Sequence, residues 1–170
     1  SAASDVYKRQ ALLLAKNPLS AAILSTQMKH RKIRRTYLAV VKGITPEKGK
    51  ISAPIARLGD SVIQRCVDFD RGESAVTFYE RLDTRNDHSL LELHLETGRT
   101  HQIRVHMSSI GHPLLGDQVY GPKKCPFPKL QGQTLHAKTL GFVHPRTAEY
   151  VETEAPLPEY FQKLISQLRK

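Results

Sequence analysis

Apolar and polar residues alternate most cleanly between positions 91 and 96, where Leu91, Leu93 and Leu95 are separated by Glu92, His94 and Glu96. A period of two marks a strand with one apolar face. Thr97-Gly98 then reads as a tight turn, after which Ile103, Met107 and Ile110 recur at helical spacing. Thr100 is placed to cap this helix, and Gly111 with Pro113 to stop it. Upstream, Ala11 to Lys16 reads as a short buried strand, broken by Asn17-Pro18, and Ser20 caps a helix with Ala21, Leu24 and Met28 on one face. Segments 36–43, 50–58, 62–67 and 74–82 read as strands, with turn signals at Thr45-Pro46, Gly59-Asp60 and Arg71-Gly72. A loop rich in Pro, Gly and Lys at 121–133 leads to strands at 135–143 and 150–155. The last segment, 158–170, is an amphipathic helix whose stripe is Tyr160, Phe161, Leu164, Ile165 and Leu168. Together these elements predict an α+β domain with a mixed, mainly antiparallel sheet flanked by helices.

Composition narrows the class. With 170 residues, 39% apolar and 25% charged, the chain has the make-up of one folded domain. No apolar run approaches the roughly 20 residues of a membrane-spanning helix, so no membrane partner is expected. The run ALLLA at 11–15 is too short for a secretory signal. Cys66 and Cys125 lie far apart without paired spacing, which suits reduced thiols in a cytoplasmic setting better than a disulfide or a zinc site. A charge of +10, from 26 Lys and Arg against 16 Asp and Glu, favours a polyanionic partner, nucleic acid ahead of a membrane surface.

One cluster and one single arginine carry that charge into specific positions. Lys29, His30, Arg31, Lys32, Arg34 and Arg35 gather at the end of the first helix. They are either cations solvated at a favourable helix terminus or a phosphate-binding rim. Arg99 is held just before the electropositive start of the next helix, a place suited to gripping an anion, and equally to tying the turn to a structural carboxylate.

Other chemistries find little support. His101 and His106 are five apart, about 140° around a helix, a poor pair for one ion, and His112 lies beyond the glycine stop, so no metal is expected. Ser108 and Ser109 lie within a helix, without the elbow motif of a hydrolase. No phosphate-cradling glycine loop is present, and no cofactor is expected. Asp117 reads as a turn residue.

The run TGRTHQIRVHMSSIGHPLLGDQVYG resembles the arginine motif of the RluA-type RNA pseudouridine synthases. RRTYLAVVKG resembles that family's tyrosine motif, LHAKTLGFVHP followed by EAPLP its C-terminal motif, and ALLLAKN the segment just downstream of its catalytic aspartate. The four occur in family order over roughly 11–170. The resemblance implies an incomplete pseudouridine synthase catalytic domain at 11–170, with RNA (rRNA or tRNA) as partner. It implies cofactor-free isomerisation: the uracil is detached from C1′, rotated and rejoined through C5, with an aspartate performing the key step. Tyr37 would supply a stacking face for the extruded base. Arg99 would pair with the aspartate and keep it ionised. Lys29, Arg31, Lys32, Arg34, Arg35, His101, Arg104, Lys123 and Lys124 would meet the RNA.

The aspartate motif departs from the family. A His-Arg-Leu-Asp tetrad and a Thr/Ser-Gly pair are expected before ALLLAKN, but SAASDVYKRQ stands there. Counting back six from Ala11 reaches Asp5, with every neighbour changed. Two readings stay open: residues 1–10 are a foreign segment and the fragment is inactive, or they form a divergent but genuine aspartate loop. A non-catalytic RNA-binding module of the same fold is the alternative to the enzyme.

Overall fold

The computed structural model describes residues 10–125, 127, 130 and 132–168. Its centre is a six-stranded antiparallel sheet. The strands are β1 (Arg34–Lys42), β2 (Lys48–Ser52), β5 (Val76–Arg85), β6 (His88–Leu95), β7 (Leu135–Val143) and β8 (Tyr150–Glu154), in the spatial order β2-β5-β6-β1-β7-β8. Two short strands, β3 (Ile55–Arg57) and β4 (Arg65–Val67), form a separate antiparallel hairpin. Three helices complete the described chain: α1 (Pro18–Lys29), α2 (Gln102–Ser109) and α3 (Glu159–Leu168).

Both faces of the sheet are covered. Ala39, Val41, Leu91 and Leu93 face Ile103 and Met107 of α2 in one core cluster. Leu38 and Val40 point the other way, onto Phe161, Leu164 and Leu168 of α3. That is why β1 reads as a continuous apolar run while the segment from Leu91 alternates: β1 is the strand buried on both sides. Between β2 and β5, Gly49 pairs with Tyr79, and a methyl group at Gly49 would sit 2.3 Å from the Tyr79 ring. The missing side chain lets the aromatic ring lie across the strand.

Four expectations need correction. Residues 11–16 are not a buried strand: Leu12 and Leu14 are each 76% exposed, and Ala11 makes one backbone bond, donating to Ala137 at 3.1 Å. Beyond that bond the segment has no sheet partner among the described residues. The 50–58 strand is broken at Pro54, which has no amide to donate to a ladder, so β2 and β3 belong to different sheets. The first helix is capped by Asn17, whose side chain accepts from Ser20 N at 2.8 Å, with Pro18 at the first position; Ser20 supplies only the amide. Its inward face carries Leu24 and Gln27, whereas Met28 is exposed. Gln27 docks the helix like an added strand residue, donating to Val143 O at 2.7 Å and accepting from Val143 N at 2.9 Å. Finally, Thr100 does not cap α2, whose N-terminal flank is His101 in a left-handed conformation (φ 57°), and Ile110 lies outside the core.

Candidate active site

The Thr97–Gly98–Arg99 turn follows β6 and is held by Gln102, a nearly fully buried side chain at the start of α2. Its amide oxygen accepts from Arg99 N at 3.0 Å and from the Thr97 hydroxyl at 2.7 Å. Its amide nitrogen donates to Val76 O and to Thr77 Oγ1, both at 3.0 Å. Thr97 Oγ1 in turn accepts from Val76 N at 3.0 Å. The turn is therefore fixed to the start of β5 by side chains that compete successfully for its backbone groups. The network continues inward: Thr77 donates to His106 Nδ1 (2.9 Å), and His106 Nε2 donates to Ala53 O (2.8 Å). Burial holds the His106 imidazole below its usual pKa, outweighing the bond to Ala53, so it stands neutral with both nitrogens engaged.

Arg99 leaves this frame with a partly exposed side chain. Its Nε donates to Ser74 O at 3.1 Å and its Nη1 pairs with Glu73. The carboxylate that meets Arg99 among the described residues is thus Glu73, which lies just before β5. Asp5 lies outside the described residues. Tyr37 is half-buried on the face of β1 that carries α2, packed against the same cluster as Ile103 and Met107. It is opposite Leu93 on one side and Ala137 on the other, and Ala137 accepts the Ala11 amide. Tyr37 and the Arg99 turn, which leads into α2, therefore lie toward one end of the sheet, and the Ala11 amide bonds to the β7 residue opposite Tyr37.

The expected RNA-contacting residues divide by environment. Lys29, Lys32 and Arg34 are exposed, as are Lys123 and Lys124 in the loop after α2. Arg31 is exposed but pairs with Glu96 at the end of β6. Arg35 lies under the turn: its Nη2 donates to Thr97 O at 3.4 Å, its Nε is buried without a partner, and an added methyl at Gly98 would reach its guanidinium at 2.9 Å. His101 is half-buried with Nδ1 3.0 Å from the Tyr120 hydroxyl, and burial, with Arg104 and Arg65 nearby, holds it below its usual pKa. Arg104 is held differently from the exposed cations. It makes a bidentate pair with Asp117 at 2.7 and 2.8 Å, its side chain 11% exposed, and lies over the Tyr120 ring. Its guanidinium organises the LLGDQVYG loop and does not face solvent.

Asp117 is the hub of that loop. Burial alone would raise its carboxyl, but the bond to Arg104 and the amides of Tyr120 and Val119 (3.0 and 2.9 Å) hold it below the usual carboxylate range. Tyr120 passes the order on, its hydroxyl accepting from Arg65 N at 2.8 Å and so docking the β3–β4 hairpin. Sequence reading passed over Gln102, Glu73 and Tyr120. The first had a signal: a glutamine three residues after Arg99 fits the reach-back half of a capping box. Among the described residues no group of three or more His, Cys, Asp or Glu could hold a metal ion, and His101, His106 and His112 have separate partners, the last at 2.9 Å from Lys42 O.

A mainly antiparallel sheet flanked by helices is also the fold of a solved pseudouridylate synthase domain. Human RNA Pseudouridylate Synthase Domain Containing 1 superposes with a TM-score of 0.70 at 28% identity, over 91% of this chain and 73% of that one. The profile of the RNA pseudouridylate synthase family matches residues 11–109, and the chain belongs to that family. Among curated relatives, the uncharacterized RNA pseudouridine synthase YlyB of Bacillus subtilis is 49% identical over 94% of this chain and 52% of its own length. Ribosomal large subunit pseudouridine synthase D of Zymomonas mobilis is 42% identical over 92% of this chain and 52% of its own. The chain spans about half the length of these relatives.

Proposed function

We propose that the chain carries the catalytic domain of an RNA pseudouridine synthase acting on uridines of structured rRNA or tRNA in the cytoplasm. The observation that carries the reading is the Arg99 turn: an arginine fixed by Gln102 toward the end of the sheet where Tyr37 lies. The isomerisation breaks the C1′–N1 bond and forms C1′–C5; C5 loses a proton and N1 gains one, so atoms balance without oxidant or cofactor. Extruding the base costs a few kcal/mol, which the half-buried Tyr37 ring would offset by stacking. Arg99 would hold the aspartate ionised and oriented, exchanging Glu73 for it; counting back six from Ala11 makes Asp5 the candidate for that aspartate. Displacement of such a carboxylate by about an ångström costs on the order of a hundredfold.

The Arg99–Glu73 pair also favours a second reading, an RNA-binding module of the same fold in which the arginine is structurally committed. The two separate in one experiment. Uridine-labelled rRNA and tRNA are incubated with the chain, and with a version in which His-Arg-Leu-Asp and Thr/Ser-Gly replace the corresponding positions of 1–10. Pseudouridine from either protein supports the synthase. No product from both, despite salt-sensitive RNA binding, supports the module.

A further inference from the structure

A groove of about 400 Å³ runs from Arg99 to the β3–β4 hairpin. Four of its lining side chains are guanidiniums, Arg57, Arg65, Arg71 and Arg99, and one is a carboxylate, Glu73. Two of the four are matched within the fold: Arg71 pairs with Asp68 at 3.0 Å, and Arg99 with Glu73. Arg57 and Arg65 have no carboxylate partner among the described residues; Arg65 Nη1 donates only to the carbonyls of Val62 (3.1 Å) and Gln64 (3.0 Å). They are also directly opposite each other across the hairpin. Like charges at facing positions destabilise a strand pair, so a two-stranded hairpin keeping two arginines there bears a cost that an anion between them would remove.

The hairpin is held in place. Ile55 and Glu73 exchange backbone bonds at 2.9 Å, Asp68 N donates to Pro54 O at 3.0 Å, and the Tyr120 hydroxyl takes the Arg65 amide. Arg57 and Arg65 are thus fixed relative to the segment that contacts Arg99. We propose that this pair is a phosphate clamp for the RNA backbone, taking a phosphate of a nucleotide that flanks the uridine presented at the Arg99 end. The proposal rests on the RNA reading above. RNA is favoured over free phosphate because the groove far exceeds one phosphate and continues to Arg99. Beside the clamp, Val62 and Ile63 stand 76% and 65% exposed at the hairpin tip, apolar surface against which an unstacked base can lie. Glu73, the groove's carboxylate, opposes the same ligand.

The test is a salt series of binding to a fluorescent uridine-containing single-stranded oligoribonucleotide. The full chain is compared with Arg57→Gln/Arg65→Gln, Arg57→Lys/Arg65→Lys and Glu73→Gln, folding being checked by thermal melting. The Gln pair should weaken binding about tenfold or more and flatten the slope of log K against log salt by about 0.7 for each phosphate no longer neutralised. The Lys pair should retain most of the affinity, and Glu73→Gln should bind more tightly. Unchanged affinity and slope in a folded Gln pair overturn the clamp while leaving the RNA reading intact. Absence of salt-dependent RNA binding by the unaltered chain overturns both. Competition by inorganic phosphate at concentrations matching RNA phosphate would also overturn the clamp, by assigning the site to the free ion.

Discussion

Arg99 and Arg104 stand on either side of the start of α2, and the fold gives them opposite tasks. Arg104 is sequestered with Asp117, whose carboxylate is fully buried and also takes two amides. Asp117→Ala strands that guanidinium and frees the loop amides, so unfolding in urea should show a loss of about 3–5 kcal/mol. Arg99 pairs with an exposed glutamate, and Arg99→Ala should change stability by no more than about 1 kcal/mol in the same assay. In sequence both arginines lie within the one motif, Arg99 expected to hold an aspartate and Arg104 to meet RNA. What distinguishes them is a partner 13 residues on in one case and 26 residues back in the other, brought close by the β5–β6 pairing and the LLGDQVYG loop. Tyr37 is a candidate only through its motif, since a strand tyrosine by itself carries no mark of a site.

Strands and helices followed the hydrophobic period wherever one element faces one core. β7 and β8 lie where the alternation and turn signals put them, and α3 buries Phe161, Leu164 and Leu168 from its stripe. Period failed where the environment changed within a run. ALLLA is apolar enough for a core strand, yet among the described residues it makes one backbone bond, from Ala11 to Ala137, and Leu12 and Leu14 are exposed. Residues 50–58 are equally continuous, but Pro54 removes a donor and the chain leaves the main sheet for the hairpin. Gly49 carries a consequence at this scale. Its Tyr79 partner is buried and cannot retreat, so Gly49→Ala should destabilise by roughly 1–3 kcal/mol through overpacking, measurable by thermal or urea unfolding.

At the level of the molecule, the site frame and the stability of the domain share one titratable group. His106 is buried, neutral and bonded at both nitrogens, and its pKa lies below the usual value of 6.5. The unfolded chain therefore takes up a proton that the folded chain resists. This contribution is fully present above pH about 6.5 and is lost as pH falls through the depressed folded value. His101 shifts in the same direction. Urea midpoints should fall on acidification below pH 6.5, and His106→Gln should flatten that fall; a profile unchanged by the substitution would remove His106 as the cause. The charge of +10 suggested a polyanion from the outset, while the arrangement of guanidiniums along the Arg99 groove needed the fold. The role of Arg99 is tested most directly in the form carrying the family's aspartate motif, with and without Arg99→Ala, following pseudouridine formation and RNA affinity together. The Ala variant is expected to lose about a hundredfold or more of the rate while binding RNA within a few-fold of the parent and melting within a few degrees of it. An Ala variant that makes pseudouridine at the parental rate would contradict an active-site role for this arginine.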